Sequence, residues 1–223
     1  MVEAYAYASK PSAYFAGERR DFIDSLDEDP LRSILEVGCG EGATGAYAHR
    51  TGRCGRYVGI ELSPDAGRAA SVVLDEVCVG DVERMALPFE PHSFDVLIAS
   101  EVLEHLIDPW RILKELRNFL KPGATVFASS PNIAHKSTLS MLVSGRWDLE
   151  ADGRMDRTHL RWFTPASYAE MFEHAGYEVV SIGPLTRSTT KARIFNALTG
   201  NRWAHLFISQ MVLVARVGFR GDS

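Results

Sequence analysis

Cysteine is scarce in this chain. Cys39, Cys54 and Cys78 are the three among 223 residues. They form no metal-binding spacing, and an odd number cannot pair completely, which excludes a disulfide-stapled scaffold and points to a reducing cytoplasm. Long apolar runs are also missing. The longest, residues 206–219, is interrupted by Gln210 and Arg216 and is too short to cross a bilayer. There is no excess of positive charge either: 24 Lys and Arg against 29 Asp and Glu leave a formal net charge of −5, which argues against a nucleic-acid partner bound through a broad surface. The first ten residues hold an acid, Glu3, and no apolar core, so no secretion signal is expected. No internal repeat or low-complexity tract is visible. With 46% hydrophobic and 24% charged residues, the composition is that of one ordinary globular domain.

The pattern that organises the chain is ILEVGCGEG, residues 34–42. Ile34, Leu35 and Val37 read as a buried strand, and Gly38, Gly40 and Gly42 as the turn that leaves it. Glycine accepts positive φ there and lets backbone approach a ligand closer than any Cβ allows. A helix beginning near Gly42 would aim unpaired N–H groups at the same spot. The glycines alone also satisfy the dinucleotide pattern G-x-G-x-x-G/A. Three acids add to them: Glu36 inside the motif, Glu61 after residues 57–60, and Asp81 after residues 77–80. In a βαβαβ layout all three stand at the carboxyl ends of adjacent parallel strands, where such sheets bind ligands.

From Glu36 through Gly42, and at Glu61 and Gly80-Asp81-Val82, the sequence resembles the class I S-adenosylmethionine-dependent methyltransferases, most strongly over residues 30–130. The resemblance implies S-adenosyl-L-methionine as cofactor. It implies Glu61 as the ribose-binding acid, Asp81 and Val82 at the adenine, and Glu36, Gly38, Cys39, Gly40, Gly42, Leu62 and Ser100 as further cofactor contacts. A dinucleotide reading leaves Glu36 and Asp81 without roles.

In chain order, residues 11–27 carry Tyr14, Phe15, Phe22, Ile23 and Leu26 among charges, which suits an amphipathic helix beside the cofactor mouth. A helix follows the glycines to about Arg50, and Ser63-Pro64 supplies an N-cap and first residue for the next. Residues 94–99 predict a strand buried on both faces. Asp108-Pro109 predicts a helix with Trp110, Leu113, Leu116 and Leu120 on one stripe, stopped by Lys121-Pro122-Gly123, and residues 124–128 predict the fifth strand. Residues 133–163 read as irregular. Thr164-Pro165 starts a helix with Tyr168, Met171, Phe172 and Ala175 at helical spacing, and residues 177–182 and 207–217 read as strands. The alternation predicts an α/β fold with a doubly wound, mostly parallel sheet. The resemblance adds that the sheet is Rossmann-like and seven-stranded, with the last strand antiparallel between its neighbours. The expected organisation is a single domain over 1–223: a helical cover (1–30), a cofactor core (31–130), an acceptor-recognition insert (131–165) and a C-terminal helix with strands (166–223).

Methyl transfer to a hydroxyl needs a base or a metal, because an alcohol is a poor nucleophile at neutral pH. Glu101-x-x-Glu104-His105 is the candidate: positions i, i+3 and i+4 share a face of a helical turn leaving the fourth strand. Two carboxylates and an imidazole suit Mg²⁺, Mn²⁺ or a related cation. The segment resembles the E-x-x-E-H of methyltransferases that O-methylate phenols in ubiquinone synthesis, and of those that 2′-O-methylate small-RNA 3′ ends. In the latter a later histidine completes a metal site, a place His159 could take. His159 is alternatively the general base; His135 is a weaker candidate. Glu104, His105 and His159 are thus the expected catalytic set, and Glu101, Glu104, His105 and His159 the expected metal set.

The loop Gly145-Arg146-Trp147-Asp148 and residues 154–163 interleave Trp, Arg, Asp and His, which suits a sugar or another polyhydroxylated or anionic acceptor. Ser130-Pro131-Asn132 and the run from His159 to Pro165 resemble bacterial methyltransferases associated with glycan enzymes. The expected activity is therefore O-methylation of a sugar or glycan precursor. The alternatives are a phenolic small molecule and, in another class, a cofactor-binding partner protein without turnover. A peripheral membrane contact through Phe195, Leu198, Trp203 and Phe207 would be compatible with a cytoplasmic enzyme. Monomer and homodimer are both open.

Overall fold

A computed structural model of the chain describes residues 15–186 and 189–218. Residues 11–14 of the expected N-terminal helix, Tyr14 included, lie outside the described residues, as does the side chain of Phe195.

Seven strands form one sheet in the order β3-β2-β1-β4-β5-β7-β6, from β1 (Ser33–Val37), β2 (Arg56–Glu61), β3 (Glu76–Val79), β4 (Phe94–Ser100), β5 (Leu120–Pro131), β6 (Tyr177–Pro184) and β7 (Gln210–Val217). The first five are parallel to one another, with Leu35 opposite Val58 and Leu97. β7 runs antiparallel to both β5 and β6. This is the expected Rossmann-like arrangement. The helices are α1 (Arg20–Asp24), α2 (Ala43–Arg50), α3 (Pro64–Ala70), α4 (Pro109–Arg117), α5 (Lys136–Val143), α6 (Pro165–His174) and α7 (Thr190–Leu198).

The two-residue period of the strands sorts the core into two layers. Leu35, Val37, Leu97 and Ala99 pack with Ile112, Leu113 and Leu116 of α4 and with Tyr168, Met171 and Phe172 of α6. Ile34, Tyr57, Val96 and Ile98 pack on the other face with Phe22 and Ile23 of α1 and with Ala48 and Ala70. A parallel sheet with both faces covered opens to ligands only along its carboxyl edge, so the site is placed by the topology.

Local chemistry sets the element ends. The Ser63 hydroxyl accepts from Ala66 N–H with Pro64 in the first turn, and the Asp108 carboxylate accepts from Arg111 N–H with Pro109 behind it. Thr164 and Ser167 close a capping box on α6.

Three expectations need correction. α4 ends at Arg117, and Leu120 with Lys121-Pro122-Gly123 belongs to β5, as an irregularity between the pairings at Phe94 and Val96. The buried stripe of α4 is therefore Ile112, Leu113 and Leu116, while Trp110 is 39% exposed. Within 133–163 the chain forms α5, capped by His135, whose Nδ1 accepts from Ser137 N–H. Finally, Glu101 takes φ 52°, and only a 3₁₀ turn, Leu103–His105, follows it; there is no α-helical face for the E-x-x-E-H motif. No helix among the described residues is long and apolar enough to cross a membrane.

Candidate active site

A cavity of about 500 Å³ opens at the carboxyl edge of the sheet, a size suited to a cofactor-sized ligand. Its first half is built on backbone. Gly38 and Gly40 have φ of 72° and 55°. Gly38 and Cys39 N–H donate to the Ile60 carbonyl, tying the turn to β2. Phe15, from the segment before α1, lies across the turn: Glu41 N–H donates to its carbonyl at 3.0 Å, and a Cβ on Gly40 would stand 2.3 Å from that oxygen. Glu61 holds Gly40 N–H and Ser63 N–H on its two oxygens, each at 2.8 Å, while burial raises its pKa. Glu36 is buried and accepts from the Tyr57 hydroxyl at 2.8 Å. Burial pushes its pKa up to about 7, against the opposing effects of Tyr57, Thr44 and Arg19. Asp81 and Val82 line the far wall with Leu62, and Cys39 and Ser100 are also in the wall. Gly42 is not; its Cα faces Val73, Leu74 and Ala70, so that glycine serves the packing of α2 against α3.

Arg19 is a cavity residue that the sequence does not single out. Its guanidinium enters the same cavity, bonded to Ser129 Oγ at 2.7 Å, to Ser100 Oγ and to Asp21 at 2.8 Å, and stacked 3.6 Å over the Phe22 ring. Nothing in its sequence neighbourhood marks it, because Arg20 beside it carries the same charge and points to Glu18 instead.

The second half is built on side chains. Leu160 and Arg161 N–H both donate to the Glu104 carbonyl, at 2.8 and 2.9 Å. That pins the returning end of the insert to the 3₁₀ turn and brings Glu104, His105 and His159 together. One ligand atom from each lies within 4.8 Å of the others, and the imidazole centroids are 4.7 Å apart. His105 Nδ1 is 3.2 Å from the Thr158 carbonyl, and His159 Nδ1 is 3.2 Å from the Arg154 carbonyl. A carbonyl only accepts, so each Nδ1 is placed to donate its proton there. Thr158 is itself held by Asp156, through its hydroxyl at 2.8 Å and its N–H at 2.9 Å.

Glu104 is 1% exposed, and neither carboxylate oxygen has a hydrogen-bond partner. Burial first, and Glu101 second, raise its pKa well above the ordinary carboxylate range. A buried carboxylate grouped with two imidazoles is a donor set for a divalent cation or a proton-transfer group. Glu101 lines the cavity but is outside the group of three. His135 is occupied as a helix cap. Trp147 stacks edge-on with Trp162 at 5.4 Å, Asp148 pairs with Arg146, and none of these four lines the cavity. From the insert, Pro131, Gly153, Arg154, Asp156 and His159 do, together with Leu185, Ser209 and Gln210, which no sequence signal indicates.

A family model described as a methyltransferase domain matches residues 7–182. A ubiquinone biosynthesis O-methyltransferase of Neisseria meningitidis serogroup C is 30% identical over 175 residues, 75% of this chain and 73% of that protein. The protein of the same name from Chromobacterium violaceum is 29% identical over 181 residues, 76% of each. Among solved structures, an S-adenosylmethionine-dependent methyltransferase from Archaeoglobus fulgidus superposes with TM-score 0.64 at 17% identity, covering 92% of each chain. One from Mesorhizobium loti gives 0.62 at 20%, covering 88% of this chain and 96% of that one.

Proposed function

Since the chain belongs to the class I S-adenosylmethionine-dependent methyltransferases, we propose that its acceptor is a phenolic oxygen, deprotonated at Glu104, His105 and His159. The observation that carries this reading is the buried three-residue cluster on the cavity wall, in which one ligand atom from each of Glu104, His105 and His159 lies within 4.8 Å of the others. The names of the relatives support oxygen on a phenol; nothing in them supports the sugar or glycan expected from the insert.

The cofactor supplies a sulfonium methyl group for in-line transfer. Glu61 suits its ribose, Asp81 and Val82 its adenine, and Arg19 with the Gly38 turn its amino-acid end. This chain's own contribution is to hold the acceptor oxygen in line and to take its proton. A phenol with a pKa of about 10 is within reach of a neutral imidazole, whereas an alkyl hydroxyl, nearer the ~15.7 of water, is not. Glu104, His105 and His159 also make a two-imidazole, one-carboxylate donor set, which suits Mn²⁺, Fe²⁺ or Zn²⁺ better than Mg²⁺. A cation there would lower the acceptor's pKa, and Glu104 would be held ionised by it.

The test is product analysis by mass spectrometry after incubating the protein and S-adenosylmethionine with catechol or with a monosaccharide panel, with and without Mn²⁺ and after chelation. Methylated catechol and unmodified sugars are expected. Methylation of a sugar and not of catechol would overturn the phenol assignment. Cofactor binding with no product from any acceptor would favour a cofactor-binding partner protein. Turnover that survives chelation would assign the proton transfer to the histidines alone.

A further inference from the structure

Two guanidinium groups line the cavity, and they differ in their company. Arg19 has Asp21 beside it. Arg154, on the 3₁₀ turn Gly153–Met155, has no carboxylate within ion-pair distance among the described residues. One terminal nitrogen donates to Ser137 Oγ at 2.8 Å and the other to Ser209 Oγ at 2.7 Å, while Nε is buried without a partner. Burial lowers its pKa, and the distant pull of Glu150 only partly opposes this. Two neutral hydroxyls fix the fork without neutralising it. Holding a partly dehydrated cation in this way is costly unless an anion arrives to meet it. The other charged groups on this wall are acids. They are Glu101, Glu104 and Asp156; none forms an ion pair with Arg154, and Asp156 is turned to the Thr158 N–H and hydroxyl. Arg154 also meets the catalytic cluster through its own carbonyl, on His159 Nδ1 at 3.2 Å. His159 is therefore adjacent to the one cavity-lining guanidinium, among the described residues, that lacks a carboxylate.

We propose that Arg154 selects the acceptor, and that the acceptor carries an anionic substituent, a carboxylate or phosphate, in addition to the hydroxyl that is methylated. This rests on the phenol assignment for the hydroxyl, but not for the anion. A guanidinium fork recognises such groups bidentately. A role confined to joining α5 to the residue before β7 through the two serines would leave no reason for the unpartnered Nε.

The test uses the full chain and two probes that differ only in charge, catechol and 3,4-dihydroxybenzoate. Turnover is measured with S-adenosylmethionine, and binding by calorimetry on protein loaded with the demethylated cofactor product. In the wild type, 3,4-dihydroxybenzoate is expected to be preferred by about tenfold or more in kcat/KM, carried by KM, as for a hydrogen bond to a charged group. Arg154→Met should erase most of that ratio and weaken binding of the benzoate by a similar factor, and Arg154→Lys should retain part of both. Equal losses for the two probes in Arg154→Met would make the residue structural and overturn the proposal, as would wild-type protein that binds both probes alike. If neither phenol is methylated but the benzoate still binds in an Arg154-dependent way, the phenol assignment falls and the anion site stands.

Discussion

The two halves of the cavity are built on opposite principles. In the cofactor half, the backbone does the positioning: glycines at positive φ, amides on Glu61, a carbonyl of Phe15 over the turn. No side chain of the cofactor wall between Glu36 and Val82 leaves a buried polar atom unpartnered. In the acceptor half, Glu101 Oε1, both Glu104 oxygens, Ser130 Oγ and Arg154 Nε are all buried without partners. Satisfied polar groups make a rigid cradle; buried unsatisfied ones are costly unless a ligand or ion meets them. On the proposed assignment, the first half is preorganised for a ligand common to the family, and the second is shaped for an acceptor and a proton or cation.

That contrast predicts different losses on the two sides. The largest effect is expected at Glu104. Glu104→Gln removes the titratable, metal-ligating carboxyl and keeps the shape, so turnover should fall by about 10²- to 10⁴-fold, the usual worth of an acid–base or metal group. Binding of the demethylated product should move far less, because the cofactor wall is built elsewhere. Calorimetry and steady-state kinetics on the same preparation separate the two. If the substitution weakens cofactor binding as much as turnover, the halves are not independent. Gly40→Ala tests the other side. The added Cβ meets the Phe15 carbonyl at 2.3 Å, in a left-handed conformation, so the turn or the N-terminal segment has to move. Cofactor affinity should drop by roughly a hundredfold, the order of a few kcal/mol of backbone strain, with kcat at saturating cofactor much less affected. An unchanged affinity would show that the segment bearing Phe15 yields freely.

The same contrast explains which parts of the molecule are legible in the chain. A glycine turn at a strand end needs particular residues at adjacent positions, so Gly38, Gly40, Glu61 and Asp81 can be read locally, and the parallel sheet follows from the alternation of strands and helices. Gly42 lies outside the cavity lining, against Val73, Leu74 and Ala70, because the motif counts glycines without saying which of them packs against α3. The acceptor half depends on closure over long distances: His159 reaches Glu104 only because Leu160 and Arg161 bond to the Glu104 carbonyl. Residue type and resemblance point to Glu104, His105 and His159, but their assembly through Thr158 and Asp156 leaves no local trace. Arg19, Ser209 and Gln210 come from segments whose own patterns are ordinary. Trp147 is over-read for the converse reason, since an exposed aromatic in a loop carries the same signal whether it meets a ligand or Trp162.

Glu36 offers the finest test, since burial carries its protonation to near neutrality. Its folded pKa, about 7, is above the ordinary 4.5, so the folded protein binds a proton more tightly than the unfolded chain does. Its contribution to stability is then largest at low pH and declines as pH rises from about 5 to about 8. The loss attributable to this group is about 2 to 3 kcal/mol across that window, since each tenfold difference in proton affinity is worth about 1.36 kcal/mol. Glu61, Glu101 and Glu104 are raised in the same direction, so the slope of the wild type alone does not isolate Glu36. The difference between the wild type and Glu36→Gln does. Glutamine keeps an oxygen for the Tyr57 hydroxyl and has no proton to lose, so the variant should gain on the wild type as pH rises, read from urea midpoints without cofactor at pH 5 and pH 8. Tyr57→Phe should steepen the wild-type decline, because that hydroxyl is the strongest group holding the Glu36 pKa down. Parallel pH profiles for Glu36→Gln and wild type would mean that Glu36 is ionised in the fold, held so by Arg19, and that the cofactor half is charged in its ligand-free state after all.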